Sequence, residues 1–319
     1  ENVLRGKNVP RERMLEVAEH YYHFDGVSPI NEQNRALITA LRNELTMPEA
    51  VEQGLDLPIY WGNRNWHPLL SDTLKQMRED GVQRALCFVT SAMSSYSGCR
   101  QYLEDIIRAR AEVGEGVPEV HKLRAFYNHP GFVEAMQSRV RDALAKLDGK
   151  HVSGAHIVFT AHSIPTSMSD GCPYVEQLEE SSRLVMEAFP KNTHTLVYQS
   201  RSGPPTQPWL EPDVCDYFQQ MKRDGTHDVV VIVPIGFISD HMEVLFDLDT
   251  EARELCDEIG LKMVRAGTVG THPKFIRMIR DLIAERVIDA ERKAIGAFGP
   301  RHDTCPAGCC PSGRPKRTA

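Results

Sequence analysis

Val229-Val230-Val231-Ile232-Val233-Pro234-Ile235-Gly236-Phe237-Ile238-Ser239-Asp240-His241-Met242-Glu243 is the chain's most apolar strand-like run, followed by a glycine turn and a titratable exit. An unbroken apolar run shows no alternation, so it predicts a strand covered on both faces, as in a parallel sheet. Working outward, residues 57–61, 85–90, 156–161, 195–199 and 262–265 have the same form. Amphipathic stretches at 68–80, 102–113, 131–147, 174–189 and 213–224 lie between them and read as helices. Strands alternating with helices predict βαβ units and parallel sheets flanked by helices.

The strands fall into one set before and one after Asp148-Gly149-Lys150. This predicts an α/β protein of two similar Rossmann-like domains, 1–150 and 151–290, with a cleft between them. From about Ala294 the composition turns to Gly, Pro, Cys and basic residues, so 291–319 reads as a separate tail with little to bury.

The chain has 319 residues, 41% hydrophobic and 25% charged, with a net charge of −7. That is a globular composition. The balance is acidic and no long basic block precedes the last few residues, so nucleic acid is excluded as an expected partner. Apolar runs stay well short of the roughly 20 residues that cross a bilayer, so no transmembrane anchor is expected. Glu1-Asn2-Val3-Leu4-Arg5 carries no apolar signal region, and the expected compartment is the cytoplasm. The first residue is not Met, and a preceding segment is expected.

In open parallel sheets ligands sit beyond the carboxyl ends of the strands. No G-x-G-x-x-G and no P-loop follows any strand, which counts against a nucleotide enzyme. The strand at 156–161 leads instead to His162-Ser163-Ile164-Pro165, and the strand at 229–235 leads to Glu243. A lone His at a strand end is usually a structural hydrogen-bonder, and a carboxylate opening a helix usually complements its dipole. Glu243, Asp247 and Glu251, however, are four apart and share one helical face, where like charges repel. Such a row is a plausible track for a divalent cation. A solvated face is the equal alternative for Asp247 and Glu251.

Eight cysteines in a chain of this length are no disulfide scaffold, and in a reducing compartment a cluster reads as metal-binding. Cys305, Cys309 and Cys310 lie within six residues, with Pro306 and Gly308 for turning. A Zn²⁺ site or a [2Fe–2S] cluster would each want a fourth ligand. Cys172, in the polar loop just past the His162 turn, is the choice. Cys87 in an apolar strand, and Cys215 and Cys256 in helical patterns, read as ordinary buried cysteines. A disordered tail with adventitious zinc is the alternative.

Thr160-Ala161-His162-Ser163-Ile164-Pro165, Gln199-Ser200-Arg201-Ser202-Gly203-Pro204 with Pro208-Trp209-Leu210, and Pro234 through Leu245 resemble the ferrochelatase family, in that order and at family-like spacing. Gly26-Val27-Ser28-Pro29-Ile30 and Ser94 through Tyr102 match its amino-terminal half. The resemblance covers nearly the whole chain. It implies a chelatase-like fold whose first strand and glycine turn precede Glu1. It also implies that His162 and Glu243 meet the iron and the pyrrole protons, with Asp247 and Glu251 as the carboxylate line behind. Ser28 and Tyr102 would contact the porphyrin; Trp209 would stand near the cleft or in the core.

The tail resembles actinobacterial members with a carboxy-terminal [2Fe–2S] cluster, here on Cys172, Cys305, Cys309 and Cys310. It points to the branch that inserts Fe²⁺ into coproporphyrin III during haem biosynthesis. The runner-up is insertion into protoporphyrin IX. A cobalt or nickel chelatase, and a non-catalytic tetrapyrrole or haem carrier, are the remaining alternatives. The expected partners are the porphyrin and Fe²⁺, with the chain a monomer in passing contact with neighbouring haem-pathway enzymes.

Overall fold

The computed structural model describes residues 26–313, together with Arg11 and Tyr22; the opening of the expected 1–150 unit lies outside them. Among the described residues six strands form two parallel sheets. β1 (Arg84–Cys87) pairs with β2 (Glu119–Lys122). β3 (His156–His162), β4 (His194–Gln199), β5 (Val229–Val233) and β6 (Lys262–Arg265) form the larger sheet in the order β4-β3-β5-β6.

The two-residue period of a strand divides the larger sheet between two cores. Ile157, Phe159 and Ala161 of β3, with Val229, Val231 and Val233 of β5, face helices Pro130–Leu144, Tyr174–Met186 and Pro273–Val287. Val158, Val230 and Ile232 face helices Val214–Asp224 and Ala252–Ile259. All five residues of β5 are fully or almost fully buried, each worth about 1.5–3 kcal/mol of transfer from water. Helix ends follow local chemistry. Asp213 caps Val214–Asp224 by accepting the Cys215 amide at 2.8 Å, and Gly225 ends it in the left-handed conformation.

One helix and two strand assignments depart from the sequence expectations. Ile30–Leu45 buries only Leu41 and Leu45, so its apolar stripe is too narrow to read in isolation. It packs against Pro273–Val287, which also lies on Pro130–Leu144. β2 has a single apolar residue and is half-covered, so it lacks a buried-strand pattern. Residues 57–61, expected as a strand, pair with no other strand among the described residues; Pro58 has no amide proton to offer, and Trp61 is held through its carbonyl by the Thr73 hydroxyl at 2.8 Å. The segment borders the cleft instead.

Behind β2 lies a buried ion pair. Arg124 donates from Nε and Nη2 to the two carboxylate oxygens of Glu285, each at 2.7 Å, and both side chains are 1% exposed. The guanidinium also donates to the Lys293 carbonyl at 2.8 Å, which ties the residues after the last helix to the body. Removing one member leaves the other charge buried and unpaired. Glu285→Ala is therefore expected to lower unfolding stability by about 3–5 kcal/mol, read from urea denaturation; a loss under about 1 kcal/mol would contradict the assignment.

Candidate active site

The carboxyl ends of β3, β4 and β5 open on one cleft of about 1960 Å³, lined among others by Ser28, Tyr102, His162, Glu243, Asp247 and Glu251. All six were singled out in the sequence, and the fold brings all six to one cavity. Its volume exceeds the few hundred to a thousand Å³ of an ordinary small-molecule site.

His162 is the last residue of β3. Its Nδ1 lies against the Ser163 carbonyl oxygen, which can only accept, so Nδ1 carries the proton. The Nε2 lone pair is then free towards the cleft, where Glu243 Oε2 stands 3.9 Å away. The strand end is braced around it. The Tyr174 hydroxyl donates to the His162 carbonyl at 3.0 Å, the Ser163 amide donates to the Gln199 carbonyl at 2.7 Å, and the Ser163 hydroxyl donates to the Leu210 carbonyl at 2.8 Å.

Glu243 arrives on the loop after β5. Gly236 makes the first turn there: its amide donates to Thr160 O at 3.1 Å, and a Cβ would stand 2.7 Å from the Ala161 Cβ. Residues Met242–Val244 are α-helical, but Leu245–Glu251 form a π-helical turn. The four-residue spacing of Glu243, Asp247 and Glu251 predicted an ordinary helix. A π-turn is wider, so residues four apart line up more closely than in an α-helix, and such turns concentrate at functional sites. His241 lies beside the pair, with its ring edge-on to Phe237 at 5.1 Å; burial holds its imidazole below the usual range, against the pull of the Glu243 charge.

Behind Glu243, burial pushes the Asp247 carboxyl up to about 6, although the Ser200 hydroxyl and the Gln199 amide (3.0 Å) both donate to it. Ser200 adopts φ 62°, a left-handed conformation uncommon for serine, at the end of β4. Glu251 is raised by burial and then by the neighbouring Asp247 and Asp213. Among the described residues no Lys or Arg pairs with Glu243, Asp247 or Glu251, whereas nearby Asp240 and Asp249 are both held by Arg265, at 2.8 and 2.6 Å. Within the row Asp247 is half-buried, whereas Glu243 and Glu251 are exposed. These carboxylates are held by neutral donors or left open to the cleft.

The opposite wall carries Tyr102, whose ring is covered by the Arg64 guanidinium at 4.4 Å, itself held by Asp105. Ser28 Oγ accepts the Ile30 amide at 3.4 Å at the start of helix Ile30–Leu45. Trp209 packs under the 200–207 loop, where a Cβ on Gly203 would stand 2.2 Å from its indole nitrogen; it lies outside the cleft lining, so its position is a packing one.

The tail is tied down. The Ile295 amide donates to Asn128 O (3.0 Å), the Asn128 amide to Phe298 O (2.7 Å) and the Ala297 amide to Glu180 (2.7 Å). These bonds lead Cys305 to Cys99, with sulfurs 4.0 Å apart, while Cys309 and Cys310 sulfurs are 3.6 Å apart. Hydrogen bonds from Cys305 and Cys310 hold the Cys99 thiol far below its usual range, helped by Lys122. His302, Cys305 and Cys309 also lie within 4.8 Å of one another through their ligand atoms. Cys172 donates to Met168 O at 3.3 Å, and its thiol is raised by burial and then, after a lowering backbone contact, by Cys309 and Cys99. Cys99 was not among the ligand candidates drawn from the sequence, which named Cys172. Cys99 lies in the π-helical turn Tyr96–Arg100 that follows β1, on the side where strand-end residues gather.

A family model described as Ferrochelatase matches residues 2–287. A ferrochelatase of Rhodopirellula baltica is 58% identical over 97% of this chain and 87% of that protein. A coproporphyrin III ferrochelatase of Streptomyces coelicolor is 48% identical, covering all of this chain and 90% of its own. One from Nocardia farcinica is 46% identical over 99% and 92%. Among solved structures, SirB from Bacillus subtilis with Fe³⁺ superposes with a TM-score of 0.56 at 13% identity, covering 80% of this chain and 90% of that one, which is a likeness of fold. The match of the family model and the identity to these relatives place the chain in the ferrochelatase family.

Proposed function

We propose that this chain inserts Fe²⁺ into coproporphyrin III, with His162 and Glu243 as the catalytic pair. The observation that carries the reading is the 3.9 Å approach of His162 Nε2 and Glu243 Oε2 at the end of a large cleft. The coproporphyrin III reading draws on the names of the Streptomyces and Nocardia relatives. Metal insertion removes two pyrrole N–H protons, puckers the ring and delivers a stripped cation to one face. His162 Nε2, with its lone pair free, suits proton acceptance, and Glu243 shares that proton or holds the cation before transfer. Asp247 and Glu251 then form the approach for Fe²⁺, as oxygen donors with no competing cation. Ser28 and Tyr102 would hold the porphyrin from the other wall, and a cleft complementary to the bent macrocycle would favour the transition state. A tetrapyrrole carrier would need no such pair.

In this reading residues 1–150 and 151–290 act as the two walls, and the protein works as a cytoplasmic monomer. No helix of the described residues is long and apolar enough to cross a membrane.

The tail is proposed to hold a [2Fe–2S] cluster. The sulfur pairs at 4.0 and 3.6 Å suit two irons with two thiolates each, on Cys99 with Cys305 and Cys309 with Cys310. The 4.0 Å approach of Cys305 favours Cys99 as the internal ligand. Lys122 beside Cys99 would offset the negative charge. Such a cluster supplies a one-electron redox centre.

Anaerobic Fe²⁺ insertion is the direct test. His162→Ala is expected to abolish insertion while porphyrin binding, followed by fluorescence quenching, stays largely intact; retained insertion would refute the site. Cys99→Ser should bleach a visible chromophore that Cys172→Ser leaves in place, and the reverse pattern would return the ligand to Cys172. Asp247 gives a pH test of stability. Its folded carboxyl lies near 6, above the unfolded value of about 3.9, so its ionisation costs stability. That cost is absent below pH of about 4, grows towards pH 6 and is complete above it. Asp247→Asn is expected to raise the thermal midpoint more at pH 8 than at pH 4, and equal shifts at both would count against the buried carboxylate.

A further inference from the structure

Gln33 lies in the first turn of helix Ile30–Leu45 and meets the loop that delivers Glu243. Its side-chain amide engages one backbone residue twice. Nε2 donates to the Asp240 carbonyl and Oε1 accepts from the Asp240 amide, both at 2.8 Å, across 207 residues of sequence. Such an exchange copies the hydrogen-bonded pair of an antiparallel ladder. It fixes the orientation of the Asp240 backbone as well as its distance, which a single bond does not.

Among the described residues the other hydrogen bonds that hold this loop come from its own half of the chain. The Gly236 amide donates to Thr160 O, the Gly270 amide to Ile238 O at 2.9 Å, and Arg265 to the Asp240 carboxylate at 2.8 Å. Asp240 is therefore where the two walls meet: its side chain is held from β6, its backbone from the opposite helix. Glu243 follows three residues later. The same helix opens directly after Ser28, whose hydroxyl takes the Ile30 amide. A shift of this first turn moves the porphyrin wall and the Glu243 loop together.

We propose that Gln33 is a positioning residue for metal insertion: it holds the Asp240 backbone so that Glu243 stands at His162. The proposal rests on the reading of His162 and Glu243 given above.

Gln33→Met in the full chain keeps the length of the side chain and removes both hydrogen bonds. The kcat of Fe²⁺ insertion into coproporphyrin III is expected to fall about tenfold, the scale of a small misplacement of a reacting group. The porphyrin dissociation constant should stay within about twofold. Amide hydrogens of residues 238–245 should exchange faster with deuterium. Gln33→Glu keeps the acceptor and loses the donor, and should fall between; it decides on the same readouts if the Met variant does not fold. An unchanged kcat, unchanged exchange at 238–245, or a loss spread equally over kcat and porphyrin affinity overturns the proposal. Glu243→Gln is assayed beside it. Full insertion by that variant sinks the pair and Gln33 with it, whereas an inactive Glu243→Gln next to a fully active Gln33→Met removes Gln33 alone.

Discussion

The exit of β5 turns directly over the end of β3, and Gly236 is where they touch. A Cβ there would lie 2.7 Å from Ala161 Cβ and 2.8 Å from its Cα, and the Gly236 amide already bonds the Thr160 carbonyl. Only a residue without a side chain fits that approach. His162 follows Ala161, and the segment from Gly236 runs to Glu243 on the same side of the sheet. The meeting of an imidazole and a carboxylate from distant parts of the chain thus depends on the close seating of two neighbouring strands. Backbone pairing of β3 with β5, His156 through Phe159 against Val230 through Val233, sets that seating.

Around that point the protein sorts its carboxylates into two kinds. Asp240 and Asp249 are neutralised by Arg265 and serve to hold the loop. Asp247 is met by an amide and a hydroxyl, donors that orient a carboxylate without cancelling its charge. A site meant to receive a cation needs the second kind, since a resident Arg or Lys would have to be displaced first. Burial raises Asp247 because it is left in this state, so its unfavourable electrostatics and its availability to a cation have one cause.

Much of this was legible in the chain itself, and the reasons are local. The larger sheet was readable because β3 and β5 are covered on both faces, which leaves continuous apolar runs. His162 was singled out because strand ends are where ligands sit in parallel sheets, and Glu243, Asp247 and Glu251 because they stand four apart; the fold brings all four to the cleft. β2 was not readable, since Glu119-Val120-His121-Lys122 earns its strand geometry from pairing with β1. Nor was the π-turn at Leu245–Glu251, because a change from i+4 to i+5 bonding leaves no mark in residue type. Cys99 was passed over for a different reason. Its neighbours in sequence are serines, glycine and tyrosine, and the thiols that give it meaning lie in the tail.

That separation bears on how the molecule is made. Cys99 and Cys305 are 206 residues apart, so a ribosome finishes β3, β4, β5 and β6 after the first thiol and before the second. Contacts of such long range close late, after the cost in chain entropy has been offset by the elements between them. Until then Cys99 has Lys122 near it but not the tail thiols that shift its proton affinity most. The approach of these two thiols thus reports on the sheet that lies between them in the chain.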